Sequence, residues 1–463
     1  MSKVMGVKML LSDPRIAIPS MAVPLAVAIL IQNLNAMTDI LWVSWLGGKA
    51  VGGVSLAYPL YASLVGVGNG LAVGVAAAIA RYVGMKQQEE ATHAAGQSLF
   101  LMIAFGILLA LILVPILGPL MHVFGDPEAA EEAIAYGFPV FAFGFFIIAG
   151  SVMSGILRGE GAARASMIIQ VAGALTNIVL DPLFIYGFGM DVAGAGWATV
   201  IAGLVSLILG LMCYRGRGMY VSLRLRDMIP SRKYSKEILI VGLPQSAEYV
   251  VMSVINIPMN FIIVGVAGAD TVGVYTSAWR VAYMVLVPAQ AYSGAVVSVC
   301  SAEFSSGHPE MIDSAFRFAV RRSMKHTTYL SVVLALLSYP LACIFTAADD
   351  LQYLRMNMTL LFLVMAVMLP GMSQVFVGSG FLQALEHSKV AMYSALARNL
   401  VMVSGYYLMA LIFNSSESIY VYMGAIEIWG GALMAWLAWK YIKKFERDFA
   451  ESDRIINLST KGN

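Results

Sequence analysis

Residues 97–123 read QSLFLMIAFGILLALILVPILGPLMHV, without a single Asp, Glu, Lys or Arg. A run of roughly 20 apolar residues spans the hydrocarbon core of a bilayer, and similar stretches recur along all 463 residues. The chain is 59% hydrophobic and only 12% charged, with a mean hydropathy of +0.79. That charged share is about half what a soluble protein needs to cover its surface. The stretches are long and lack the period-two alternation of barrel strands. The sequence therefore specifies an all-α polytopic membrane protein and excludes a soluble enzyme, a nucleic-acid binder and a secreted disulfide scaffold. Cys213, Cys300 and Cys343 lie in apolar stretches with no CxxC spacing and read as small core side chains.

Charged or turn-rich breaks divide the chain into twelve expected spans, at 16–44, 54–81, 97–123, 134–157, 164–188, 191–213, 238–266, 273–300, 318–346, 355–384, 390–413 and 417–442. The apolar stretch from Ile16 is broken by Pro19 and Pro24 and carries no small-residue cleavage pattern, so it reads as the first span and not as a removable signal.

Orientation follows from Lys and Arg in the short loops. Lys49, Arg280 and Arg355 fall on one side, and the other 26 of the 29 on the opposite side. The rich side holds Lys3, Lys8, Arg15, Arg81, Lys86, Arg158, Arg164 and the connector from Arg215 to Lys236. It continues with Arg317, Arg321, Arg322, Lys325, Lys389, Arg398 and the run from Lys440 to Lys461. Both termini are expected in the cytoplasm. Asp126, Glu128, Glu131, Glu132, Asp349 and Asp350 would cap the outward loops.

An internal repeat organises the chain. At a shift of 220 residues Val23-Pro24 falls on Leu243-Pro244, Gly48 on Gly268 and Gly53-Val54 on Gly273-Val274. At a shift of 225, Ser154-Gly155-Ile156-Leu157 falls on Ser379-Gly380-Phe381-Leu382 and Met167 on Met392. Six spans on each side of a basic connector give both halves the same orientation. Parallel repeats of this kind are a transporter architecture. The expected divisions are an N-terminal lobe at 1–213, a cytoplasmic connector at 214–237, a C-terminal lobe at 238–447 and a cytoplasmic tail at 448–463.

Ionisable groups inside spans are costly, so each is a functional candidate by default. Asp39, Asp181 and Glu248 meet that condition. Asp39 falls about 12 Å below the outer end of span one, counted at 1.5 Å per residue from Gly47. Asp181 falls in the outer half of span five, with Asn177 one turn before it on the same face. Thr199 descends to a similar depth in span six. Pro182 cannot donate to the carbonyl of Ile178, which adds a polar group. Two carboxyls in an apolar setting can share a proton or bind sodium through hard oxygen ligands, helped by Asn177 and Thr199; no other metal is expected. The plainer alternative is a polar contact that ties helices together. The repeat places Met259, Tyr406 and Met402 opposite Asp39, Asp181 and Asn177, so the acid pair belongs to the N-terminal half alone. Glu248, nearer mid-membrane, could bind a cation, take part in proton coupling or sit neutral between helices.

Other features read plainly. Gly66, Gly68, Gly70 and Gly74 lack the lysine and preceding strand of a nucleotide loop and fit close helix packing. The 29 methionines fit either core filling or an adaptable binding surface. Trp42 and Trp45 read as interface anchors, and Lys440, Lys443, Lys444 and Arg447 face headgroups or water. Asn414-Ser415-Ser416 forms a sequon on an outward loop.

The sequence resembles the multidrug and toxic compound extrusion (MATE) family, in particular its prokaryotic DinF-like branch. The carrying segments are Asp39–Gly47, Gly74–Gly84, Leu157-Arg158-Gly159-Glu160-Gly161 and Asn177-Ile-Val-Leu-Asp181-Pro182-Leu-Phe-Ile185. The resemblance implies two six-helix lobes around a central cleft and cation-coupled export of amphipathic, often cationic compounds by alternating access. It implies that Asp39, Asp181, Asn177 and Thr199 hold the proton or sodium, that the first helix bends at Pro24, and that Glu248 carries function as in other branches. Asn35 and Ser154 stand where relatives can have an aromatic residue and Asn, respectively. The span-ten acid of the sodium-driven branch is missing from 355–384, which leaves Glu248 without its usual partner. With Arg280, these three residues complete the expected cavity or secondary proton set.

The competing reading is a flippase for lipids or lipid-linked oligosaccharides from the same superfamily. Such proteins line the cleft with several cations, whereas only Arg280 is a candidate inside a span. A membrane-embedded enzyme is not expected, because no HExxH, GxSxG or histidine cluster appears. The coupling ion is the only cofactor anticipated. The partners anticipated are small organic substrates and membrane lipids for a monomer, with no nucleic acid.

Overall fold

The computed structural model describes residues 5–216 and 218–461, the side chains at 269, 350 and 452–461 excepted. Lys3 and Arg217, and the side chains of Asp350, Arg454 and Lys461, all counted above, lie outside the described residues. The chain is a succession of helices: α1 (Met5–Leu10), α2 (Pro14–Ser44), α3 (Gly48–Gly84), α4 (Gln88–Phe124), α5 (Pro127–Ala142), α6 (Gly144–Gly159), α7 (Ala163–Pro182) and α8 (Asp191–Arg215). There follow α9 (Arg232–Ala267), α10 (Ala269–Val285), α11 (Val287–Ser306), α12 (Pro309–Leu336), α13 (Ser338–Phe345), α14 (Arg355–Ala384), α15 (Ser388–Phe413) and α16 (Ser416–Lys461). Nine helices among the described residues are long and apolar enough to cross a bilayer, and three bent pairs, each taken as one span, raise the number to twelve.

The bends were not legible as breaks. The α5–α6 pair turns by 52°, α10–α11 by 51° and α12–α13 by 62°. Pro288 and Pro340 lie just past the second and third breaks, where a missing N–H loosens the preceding turn. α2 is continuous through Pro19 and Pro24.

The chain divides into two compact units, one formed by residues up to Ser12 and Val23–Ser253, the other by Asp13–Ala22 and Val254 onward. The division falls within α9, not in the 214–237 connector. The glycines of α3 explain why the first part of α9 stays with the first unit. A Cβ on Gly70 would meet the Ser246 nitrogen at 2.5 Å, and one on Gly74 would meet the Ile238 carbonyl at 2.3 Å. Only glycine permits helix axes this close.

The repeat is visible inside each unit. In the first, a Cβ on Gly155 would lie 2.4 Å from the Ala72 carbonyl; in the second, one on Gly380 would lie 2.9 Å from the Ser293 carbonyl. The matched Ser-Gly motifs thus seat two equivalent helix crossings. Arg398, expected at the membrane edge, is instead buried within α15 against Glu427, 2.5 Å away.

The connector is clasped rather than loose. Glu160, in the turn between α6 and α7, accepts the Tyr214 hydroxyl at 2.7 Å and the backbone N–H groups of Tyr220 and Val221 at 2.9 and 3.0 Å. Gln97 accepts the Ser231 N–H at 2.6 Å, and Arg224 pairs with Glu89 at 3.0 Å. Burial pushes the Glu160 carboxyl up to about 7 from its ordinary 4.5. Across that window the folded clasp holds a proton that the opened chain has released, so raising the pH weakens it. Hydrogen exchange at Tyr220 and Val221, corrected for intrinsic rates, should therefore speed up between about pH 5 and pH 8. In Glu160→Gln that pH dependence should vanish.

Candidate ion site

In the first unit α2 and α7 bring two carboxyls together. Asp181 is fully buried and Asp39 half-buried, and the two side chains lie within hydrogen-bonding reach of each other. A ladder of amides holds them. Asn35 Nδ2 donates to Asn177 Oδ1 at 2.7 Å and, more weakly, to Asp39 Oδ2 at 3.4 Å, and Asn177 Nδ2 donates to Asp181 Oδ1 at 3.0 Å. Asn35 and Asp39 stand one turn apart on α2, as do Asn177 and Asp181 on α7, so each helix presents one amide and one acid. The Asn35–Asn177 bond ties the two helices at this level.

Each carboxyl then has one oxygen left over. Asp39 Oδ1 and Asp181 Oδ2 are buried and take no hydrogen bond from any donor. An orphaned buried acceptor costs about 1–3 kcal/mol, and more when charged, so this pair demands a positive partner between its faces.

The backbone after Asp181 is unusual. α7 ends at Pro182 and passes into a π-helical turn, Leu183–Gly187, where Phe188 N–H reaches back to the Leu183 carbonyl at 2.9 Å. Pro182 cannot continue the ordinary ladder, and π turns of this kind mark functional positions in many helices. Tyr186, on that turn, donates its hydroxyl to the Trp42 carbonyl. It also packs against the rings of Trp42 and Trp45, a second tie between α2 and the end of α7.

The other sequence candidates are placed as follows. Thr199 donates to the Ala195 carbonyl of its own helix at 3.0 Å and meets the Tyr136 hydroxyl, so it reaches the acids only through Tyr136. Asn35, first a cavity candidate, is the bridge of the acid pair. Ser154 lies in a separate polar chain, bonded to Ser166 at 2.8 Å; Gln170 in turn donates to Ser166 and accepts from Gln32. Glu248 is half-buried on α9 beside Tyr249, and the ring of Tyr249 also feels Arg158. Arg280 is exposed on α10 in the second unit. Ser154 is therefore engaged away from the acid pair.

Two aromatic neighbours were missed. Tyr61 and Tyr136 lie close enough to both carboxyls to interact electrostatically, and their rings sit 6.4 Å apart. Nothing in the spacing of α3 and α5 marks them. Glu427 was also missed, although it is the only acid in the apolar run of the last span and could have been read there. In the second unit the repeat positions are filled as expected by Met259, Met402 and Tyr406, all buried in one apolar core. Tyr406 meets the Tyr275 hydroxyl at 3.2 Å. Of the buried acids of that unit, Glu427 has its own cation in Arg398, and Glu303 meets His308.

These features define a polytopic helical bundle with a buried acid pair in its N-terminal repeat. The family model MatE matches residues 24–183 and 244–408, two segments whose starts lie 220 residues apart and whose ends lie 225 apart, as in the repeat. The chain belongs to the MatE family. It is similar to the multidrug export protein MepA of Staphylococcus aureus, 25% identical over 244 residues, which cover 52% of this chain and 53% of that protein. The chain thus spans about half the length of the curated relatives it matches. Among solved structures it resembles a MOP superfamily transporter from Pyrococcus furiosus, with a TM-score of 0.92, 28% identity and coverage of 96% and 100% of the two chains. An outward-facing multidrug resistance MATE family transporter gives a TM-score of 0.91 at 28% identity, with the same coverage.

The two buried charge systems should respond differently to neutralisation. Glu427→Gln alone leaves Arg398 unpaired inside the bundle, a loss of about 3–5 kcal/mol. Thermal unfolding in detergent should show a large drop for Glu427→Gln. The double variant Arg398→Met with Glu427→Leu should recover most of it. Equal drops for single and double variants would mean that packing, not charge pairing, holds α15 to α16.

Proposed function

We propose that this protein is a secondary active multidrug exporter that expels amphipathic, often cationic organic compounds in exchange for protons. The observation that carries the proposal is the contact between Asp39 and Asp181, each with a buried oxygen that lacks a partner, within a bundle of the MatE family. A proton between them supplies the missing donor and removes the repulsion of two buried carboxylates. Sodium is the alternative coupling ion, and hard cations take a fuller shell of oxygens. Asn177 Oδ1 is committed to Asn35, and Thr199 to its own helix and Tyr136, which leaves Asn35 Oδ1 beside the two carboxyl oxygens; so thin a shell of oxygens supports the proton.

In this reading the pair is loaded from outside, and loading changes the strength of the Asn35–Asn177 tie between α2 and α7. Helix α2, with Pro24 in it, rearranges in response, and alternating access follows from the two loading states. Glu248 and Arg158 serve the cargo side of the first unit. The chain works as a monomer in the cell membrane with both termini in the cytoplasm, and it catalyses no covalent chemistry. Support comes from the similarity to MepA, a multidrug export protein, and to a multidrug resistance MATE family transporter.

The test is efflux of a fluorescent organic cation from vesicles under an imposed pH gradient, a sodium gradient or neither. The expected result is uphill efflux with the pH gradient and its loss, by at least tenfold, in Asp39→Asn and Asp181→Asn. Movement that needs no gradient, or variants that match the wild type, would overturn the proposal. Movement of lipid-linked sugars alone would replace it with the flippase reading.

A further inference from the structure

One face of α12 carries a different chemistry, in the second unit. At 100° per residue, Phe318, Arg321, Arg322, Lys325, Tyr329, Val332 and Leu336 share that face. Its upper part is apolar and open, with Tyr329 70%, Val332 53% and Leu336 75% exposed. Its lower part holds three exposed cations within five residues, Arg321, Arg322 and Lys325. None of the three has an ion-pair partner among the described residues.

Two other cations of the same unit are neutralised: Arg317 takes Asp313 at 2.8 Å, and Lys443 takes Asp313 at 3.3 Å and Glu446 at 2.7 Å. Asp313, the acid two turns before Arg321 on α12, is therefore already used. Arg322 is further ordered by stacking over Phe318 at 5.5 Å. Arg321 and Lys325 stand one turn apart, roughly 6 Å. The aromatic ring of Tyr329 lies one turn above them, at the position where aromatic side chains mark the edge of the hydrocarbon.

We infer that this face of α12 binds an anionic phospholipid, with its acyl chains along Tyr329, Val332 and Leu336 and its phosphate held by Arg321, Arg322 and Lys325. Clusters of Lys and Arg directly beside a membrane span recognise acidic headgroups in this way. The planar guanidinium grips phosphate through paired N–H donors, which a zwitterionic lipid offers with less net attraction. The site lies in the second unit and does not depend on the acid pair, so it can stand or fall apart from the export reading.

The experiment is native mass spectrometry of the full-length protein titrated with phosphatidylglycerol or phosphatidylcholine. The comparison is between wild type, Arg321→Gln/Arg322→Gln/Lys325→Gln, and a scattered control that removes three charges elsewhere, Lys86→Gln/Lys236→Gln/Lys389→Gln. The expected result is a preference of the wild type for phosphatidylglycerol on the order of a hundredfold, about fivefold for each of the three cations. The α12 variant should lose that preference and the scattered control should keep it. A charge-keeping variant, Arg321→Lys/Arg322→Lys, guards against misfolding and should retain at least part of it. Equal binding of the two lipids by wild type, or equal loss in both triple variants, would overturn the inference. Competition by soluble glycerophosphate as effective as by lipid would also overturn it, by showing a phosphate site with no need for a bilayer.

Discussion

Two carboxyls that face each other inside an apolar bundle cannot both carry charge without a cation between them. The contact between Asp39 and Asp181 is the constraint around which the N-terminal unit is built. The amide ladder of Asn35 and Asn177 fixes the outer oxygens of the acids and leaves the inner two for an exchangeable partner. The π turn after Pro182 sets Tyr186 against Trp42, so the strand of contacts that carries Asp181 also holds the end of α2. A change of charge at the pair therefore acts directly on the two helices it joins.

The second unit faces the same physical problem and solves it in another way. Its buried Glu427 is matched by a tethered guanidinium, Arg398, while the positions equivalent to Asp39, Asn177 and Asp181 are Met259, Met402 and Tyr406. A fixed cation cannot exchange with the solution. On the proposed reading, coupling is confined to one repeat because the Asp39–Asp181 pair, unlike Glu427, has no resident counter-charge among the described residues.

Much of this was legible from residue types alone. The uncharged runs marked twelve spans, and the spacing of Asp39 and Asp181 with their amides marked one face on each of two helices. The repeat could be seen in Ser154–Leu157 and Ser379–Leu382 because close helix crossings demand glycine at fixed places. What escaped the sequence were features decided by tertiary partners. Thr199 turned to its own backbone and to Tyr136, a choice that depends on α5. Arg398 read as a loop charge because Glu427, its reason for being buried, lies in the next helix. The breaks at α5–α6, α10–α11 and α12–α13 depend on how prolines and small residues pack, and apolar length gives no sign of them. The boundary between units moved into α9 because Gly70 and Gly74 of α3 admit that helix at close range.

The central claim is that the space between Asp39 and Asp181 holds a proton that is exchanged against cargo. Calorimetry of substrate binding in two buffers of different ionisation heat counts the protons released per cation bound, with purified protein and no gradient. The account predicts net proton release for the wild type, and binding without release for Asp39→Asn and Asp181→Asn. Identical release in the wild type and both variants would place the proton elsewhere and contradict it.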